Sequence, residues 1–210
     1  MKPIIAIDGP AAAGKGTLAR RLAATIGLPY LDTGLLYRAV GRRVLDLGGD
    51  PGDPEMAETA ARALQPIDLE RPDLRGPQAD AAAAAVASIP GVRSALLAFQ
   101  RDFAMRDGAV LDGRDIGTVI FPDAAAKLFV TASLAERARR RWLELRAKGL
   151  DADIATVEAD MRQRDAKDAA RAAAPLKAAD DAYPLDTSEM DAEAAFKAAL
   201  AFVRQRINIP

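Results

Sequence analysis

The residues best equipped for chemistry lie in one short run. Residues 9–17 read GPAAAGKGT, which sets Gly9, Gly14 and Lys15 at the G-x-x-x-x-G-K spacing of a phosphate-binding loop. Glycines let backbone N–H groups turn inward around phosphate oxygens, and a following helix adds the partial positive charge of its N-terminus. The candidate phosphate-binding residues are therefore Gly9, Pro10, Ala11, Ala12, Ala13, Gly14, Lys15, Gly16 and Thr17, with Lys15 able to reach the β- and γ-phosphates of a nucleoside triphosphate such as ATP. In the general loop the residue after the lysine is a hydroxyl that ligates magnesium. Here Gly16 follows the lysine and the hydroxyl comes one residue later, at Thr17. Mg2+ would then be held mostly by triphosphate oxygens and water. Thr17 would sit on a phosphate or the metal, and Asp112 would act on the metal through water.

The rest of the chain narrows the chemistry by what it lacks. It has no histidine and no cysteine, which removes Ser-His-Asp and Cys-His catalysis, a disulfide framework and cysteine-ligated zinc. The 29 basic and 30 acidic residues nearly cancel, so no global positive field argues for a nucleic-acid partner. No apolar run approaches a membrane span, and residues 1–8, MKPIIAID, lack the apolar region and cleavage site of a signal peptide. A cytoplasmic, monomeric protein that binds neither membrane nor nucleic acid is expected.

These groups need elements to position them. Residues 3–8 suit a buried strand, and 14–26 carry Leu18, Leu22 and Ile26 at helical spacing before Gly27. Residues 28–32 then read as a strand and 33–47 as a helix, with Thr33 as its N-cap and Gly48-Gly49 as its stop. The pattern breaks over 50–90, where six of the thirteen prolines fall and only loops and an alanine-rich helix over 79–87 are expected. It resumes with a helix over 92–105, strands over 109–113 and 127–132, and charged helices over 134–147 and 153–174. A strand over 182–186 and a helix over 192–206 close the chain. Five strands alternating with helices predict an α/β fold with a parallel sheet covered on both faces. Asp112 falls at the C-terminal end of one strand, with Arg114 and Asp115 just past it, where such sheets bind ligands.

The GKGT ending resembles the nucleoside monophosphate kinases among the P-loop kinases. Three further regions resemble bacterial cytidylate kinases: LDTGLLYR (31–38), LDGRDIGTVIFPDA (111–124), and the pair RARRRWLELRAKG (137–149) and RQRDAKDAARAAAPL (162–176). The resemblance covers nearly the whole chain except 50–74. It implies ATP-dependent phosphorylation of CMP, and of dCMP, with Mg2+. The implied domains are a core (1–48, 91–132 and 175–210), an NMP-binding insertion (49–90, shorter than usual) and a helical lid (133–174). By motif, Thr33, Tyr37 and Arg38 would line the acceptor site, Arg38 and Arg93 holding its phosphate, with Arg75 a looser match. Arg114, Asp115, Asp168 and Arg171 would also serve the acceptor, and Arg137 and Arg164 of the lid would join Lys15 in catalysis. Lys167 stands where many relatives have arginine, which substitutes a point charge for a bidentate fork.

Overall fold

The computed structural model describes residues 2–171 and 174–208. Ala172 and Ala173, within the AAAPL segment, and the final two residues of the expected core lie outside the described residues. The chain divides into two compact units, Met1–Leu31 with Asp107–Pro210, and Asp32–Arg106.

The first unit carries a five-stranded sheet. Its strands are β1 (Ile4–Asp8), β2 (Tyr30–Asp32), β3 (Ala109–Gly113), β4 (Ala126–Thr131) and β5 (Tyr183–Asp186), in the order β2-β3-β1-β4-β5. The pairs β1–β3, β1–β4 and β4–β5 are parallel, with Asp8 opposite Gly113 and Phe129. All five residues of β3 are buried, as in a parallel strand covered on both faces. Helices α1 (Lys15–Ile26) and α8 (Ala192–Ile207) close one face, packing Leu18, Leu22, Ala199 and Val203 against Ile5, Ile7, Val110 and Leu128. Helices α6 (Leu134–Ala147) and α7 (Ile154–Ala169) pair through Ala138, Leu145, Val157 and Met161. Ser133 and Asp153 cap them by accepting from Glu136 N and Thr156 N. Helix α7 ends at Ala169, short of the expected 174.

The second unit is helical: α2 (Thr33–Asp46), α3 (Pro54–Arg62), a 3-10 turn (Pro66–Glu70), α4 (Pro77–Val86) and α5 (Pro90–Asp107). Two expectations change here. Asp32, not Thr33, occupies the N-cap position of α2, and Thr33 is the first helical residue. The stretch over 50–90 also holds a second helix, α3, started by Asp53, which accepts from Glu55 N and Met56 N, with Pro54 at the first helical position. Helices α2 and α5, expected with the core, fall in the unit that contains 49–90. For α2 the reason is close packing: a Cβ on Gly41 would stand 2.7 Å from Ala82 Cβ of α4, so only a glycine lets these two helices approach this far.

Candidate active site

In the first unit the loop after β1 is shaped by its neighbours. Gly9 has φ 146°, and a Cβ there would stand 2.0 Å from the Val130 carbonyl oxygen of β4, so no side chain fits. Gly14 (φ 89°) precedes α1, whose first residue is Lys15. The Lys15 side chain is buried, and its Nζ donates to the Pro10 carbonyl across the loop at 2.7 Å. Burial pushes this ammonium down from 10.5 to about 7; Arg114 and Arg164 push the same way, while Asp112 and Asp8 oppose them.

Asp112, at the end of β3, is buried and accepts from the Tyr30 hydroxyl of β2 at 3.3 Å. A Cβ on Gly16 would lie 3.4 Å from Asp112 Oδ2 and 3.5 Å from the Tyr30 oxygen. The position that carries a hydroxyl in the general loop therefore faces a carboxylate and a phenol here. Magnesium takes oxygen ligands and keeps several waters, so this oxygen pair fits it, with few ligands from the chain itself. Among the described residues no group of three or more acidic side chains could hold a metal alone. Thr17 is exposed on the rim of a separate cavity.

Past β3 the backbone makes a π-helical turn (Ile116–Ile120) with Asp115 at its N-cap position. Asp8, at the end of β1, accepts from Ile116 N (2.8 Å) and Gly117 N (2.7 Å) and so fixes this turn beside the phosphate loop. Burial raises the Asp8 carboxyl to about 6 against those two hydrogen bonds; Asp115 adds to the rise and Lys15 opposes it. Sequence reasoning missed Asp8, whose position between a strand end and Gly9 was the available signal. Arg114 Nε donates to Asp168 Oδ2 of α7 at 3.0 Å, and Arg171 donates to the other oxygen of the same carboxylate. Burial would raise Asp168, but Arg114, with Arg171 and Arg164, outweighs it and holds the carboxyl below its ordinary range. Arg171 was expected on the helix face of Arg164 and Asp168. It lies beyond the end of α7 and reaches Asp168 from there.

Arg137 of α6 is buried and gripped by Asp165 at 3.1 and 2.7 Å, with bonds to Ala132 O (2.9 Å) and Ala11 O (3.4 Å) of the phosphate loop. Arg164 is half-buried and Lys167 exposed. Beside the loop lies a cavity of about 330 Å³ lined by Gly14, Thr17, Arg21, Arg140, Thr187 and Met190, among others. Arg140 donates to the hydroxyl (3.0 Å) and carbonyl (2.7 Å) of buried Thr187, whose hydroxyl faces Thr131 O and Ala13 O at 3.0 and 3.3 Å. Neither residue stood out in the sequence, because Arg140 is one of many arginines and Thr187 gains its meaning only from the fold.

In the second unit, Thr33 is buried in the first turn of α2. Arg38 folds back along the helix, its NH1 3.0 Å from where a Cβ on Gly34 would stand, and its Nε donates to Asp80 of α4 at 3.0 Å. The Arg93 guanidinium lies over the Tyr37 ring at 5.9 Å. Arg75 is exposed and pairs with Asp32 at 3.6 Å. The four acceptor residues expected in this unit thus fall on α2 and α5, linked by Arg93 over Tyr37, and Asp80 of α4 contacts Arg38 unforeseen.

The sequence profile of the cytidylate kinase family matches residues 5–205. The chain belongs to the cytidylate kinase family. It is 64% identical to a cytidylate kinase of Acidiphilium cryptum over 96% of this chain and 95% of that one. It is 61% identical to a cytidylate kinase of Granulibacter bethesdensis over 98% and 99%. Both alignments run nearly end to end. A crystal structure of an uncharacterized protein from Eubacterium ventriosum superposes with a TM-score of 0.54 at 16% identity, covering 99% of each chain, which supports the fold alone. No single helix among the described residues is long and apolar enough to cross a membrane.

Proposed function

We propose that this chain transfers the γ-phosphoryl group of ATP to CMP, and to dCMP, as a cytoplasmic monomer. The observation that carries this reading is a buried lysine lying across a glycine-shaped phosphate loop in a chain of this family. The reaction asks for positioning and charge neutralisation more than covalent chemistry. An oxygen of the acceptor phosphate attacks the γ-phosphorus, the bond to the β–γ bridging oxygen breaks, and ADP leaves. The second pKa of a phosphate monoester is about 6, so the attacking oxygen is already anionic at neutral pH and no general base is needed. That suits a chain without histidine.

Backbone N–H groups of Gly9 and of residues 11–17 would hold the donor phosphates. Lys15, depressed by burial, would regain its proton beside them because anions favour the charged form. The cavity beside Gly14 and Thr17 has the size and polar rim for the rest of the donor nucleotide. Mg2+, when bound, would supply charge neutralisation near Asp112, while Thr17, on the rim of the separate cavity, would serve the donor phosphates and not the metal. Arg137 and Arg164 would neutralise the equatorial oxygens, and Arg114, Asp115, Asp168 and Arg171 would serve the acceptor. On the second unit, Arg38 and Arg93 would take the acceptor phosphate. Arg38 is supported by its place over the first turn of α2, whose orphan N–H groups add positive charge. Thr33 and Tyr37 would complete that side.

A coupled ADP-release assay over CMP, dCMP, UMP, AMP and no acceptor tests the reading. The highest kcat/KM is expected for CMP and dCMP. Equal ADP release with and without acceptor would make the chain an ATPase instead.

A further inference from the structure

On α2, Gly34, Arg38 and Gly41 recur at i, i+4 and i+7 and so share one face. Each glycine there makes room for something. Gly41 admits the backbone of α4 at Ala82, and Gly34 admits the Arg38 guanidinium together with the Asp32 carboxylate, NH1 and Oδ1 each 3.0 Å from where a Cβ would stand. The close approach brings Asp80 within 3.0 Å of Arg38 Nε, both side chains largely buried at 16% and 18% exposure. Asp80 is the one charged residue among the alanines of α4, whose buried positions are Ala79, Ala82, Ala83 and Val86. A guanidinium over the first turn of α2 is repelled by the positive end of that helix and has many other rotamers open to it. The carboxylate opposes both tendencies. It sits in the first turn of α4, where a helix favours an anion, and it binds through Nε, which fixes the guanidinium plane while NH1 reaches Gly34.

We propose that Asp80 is a positioning residue for the acceptor: its carboxylate holds Arg38 in the orientation that receives the acceptor phosphate. The inference rests on the acceptor-phosphate role given to Arg38 above. It differs from a plain competitor role, in which the carboxylate would occupy Arg38 until phosphate displaced it and its removal would tighten binding.

The test uses the full chain, with titration calorimetry of CMP and steady-state kinetics. Asp80→Ala extends the alanine run without breaking the helix, so the fold survives. It should raise the CMP Kd and KM about tenfold, leaving kcat and the ATP KM within about twofold. Asp80→Asn keeps an oxygen acceptor for Nε and should stay within about threefold of wild type in CMP affinity. The double variant Arg38→Ala/Asp80→Ala should bind CMP no more weakly than Arg38→Ala alone, because one residue acts through the other. Unchanged or tighter CMP binding by Asp80→Ala, or additive losses in the double variant, would overturn the proposal. If Arg38→Ala itself leaves CMP affinity intact, the role of Arg38 falls first; if it weakens CMP while Asp80→Ala does not, only the role of Asp80 falls.

Discussion

The two compact units hold their charges in different ways. Around the phosphate loop the charged groups are buried and tied to backbone as well as to each other: Lys15 to Pro10 O, Asp8 to two N–H groups, Arg137 to Ala132 O and Asp165. In the unit of residues 32–106 the corresponding groups are less fully buried and lean on one another, Arg38 on Asp80 and Arg93 on the Tyr37 ring. The first arrangement is preorganised by strand ends, where covalent geometry and sheet register leave little freedom. The second depends on helix packing, which a small change in separation disturbs. Chemistry should therefore suffer most from changes in the first unit, and acceptor binding from changes in the second.

Lys15 offers the hardest test of the first half. Lys15→Met should lower kcat by about 10²–10³-fold or more, as for loss of a charge-stabilising donor, while the chain stays folded. Stability gives an independent readout. The folded-state value of Lys15 is about 7 against an ordinary 10.5, so between those limits the unfolded chain binds more protons and wild-type stability rises with pH. Without ligands, Lys15→Met should melt above wild type near pH 7, and the gap should close toward pH 10. A gap independent of pH would mean that the lysine is not strained by burial.

Asp8 should show a smaller effect of the same kind. An asparagine can accept from only one of Ile116 N and Gly117 N, and its amide would face the other N–H donor to donor. The turn that carries Arg114 and Asp115 loses an anchor, so Asp8→Asn should reduce kcat about tenfold with little change in the ATP KM. Steady-state kinetics checks this, and an unchanged kcat would show that the turn holds itself.

How far the sequence could foresee this contrast depends on the range of each contact. The phosphate loop was legible because its glycines, lysine and flanking elements are neighbours in the chain, and β1, β3 and β4 announced themselves by apolar runs, while β2 and β5 followed from the alternation of strands and helices. The helix at Pro54–Arg62 carried a local signature in Asp53, Pro54 and Glu55, but the prolines around it argued more loudly for loops. The Asp8 anchor spans 108 and 109 residues, and Arg38–Asp80 spans 42. Neither pairing has a local pattern, since each exists only after strands align or helices cross. The same holds for Arg171, which reaches Asp168 from beyond a helix that ends earlier than its charge pattern suggests.

Gly41 probes the second half. A Cβ there would meet Ala82 Cβ at 2.7 Å and the Ala82 carbonyl carbon at 2.9 Å, which backbone cannot yield cheaply. Gly41→Ala should push α2 from α4, lower stability by about 1–3 kcal/mol, and raise the CMP KM several-fold with the ATP KM unchanged. Thermal melting and paired KM values check it. Equal rises in both KM values would contradict the separate behaviour of the units.

The mildest change returns to the phosphate loop and sharpens what preorganisation means there. A Cβ at position 16 would make only ordinary contacts, 3.4 Å to Asp112 Oδ2 and 3.5 Å to the Tyr30 oxygen, so Gly16→Ser is sterically tolerated. Its hydroxyl would restore the group that usually ligates magnesium in this loop. The fold should be kept and kcat should stay within about threefold, because the phosphate-binding N–H groups and Lys15 are undisturbed. Metal dependence should shift: an added oxygen ligand beside Asp112 lowers the Mg2+ concentration needed for half-maximal rate. If the serine variant instead needs more Mg2+, its hydroxyl has turned to Asp112 and drawn the carboxylate away from the metal. The Tyr30–Asp112 bond would then be the arrangement that lets this chain do without the usual hydroxyl.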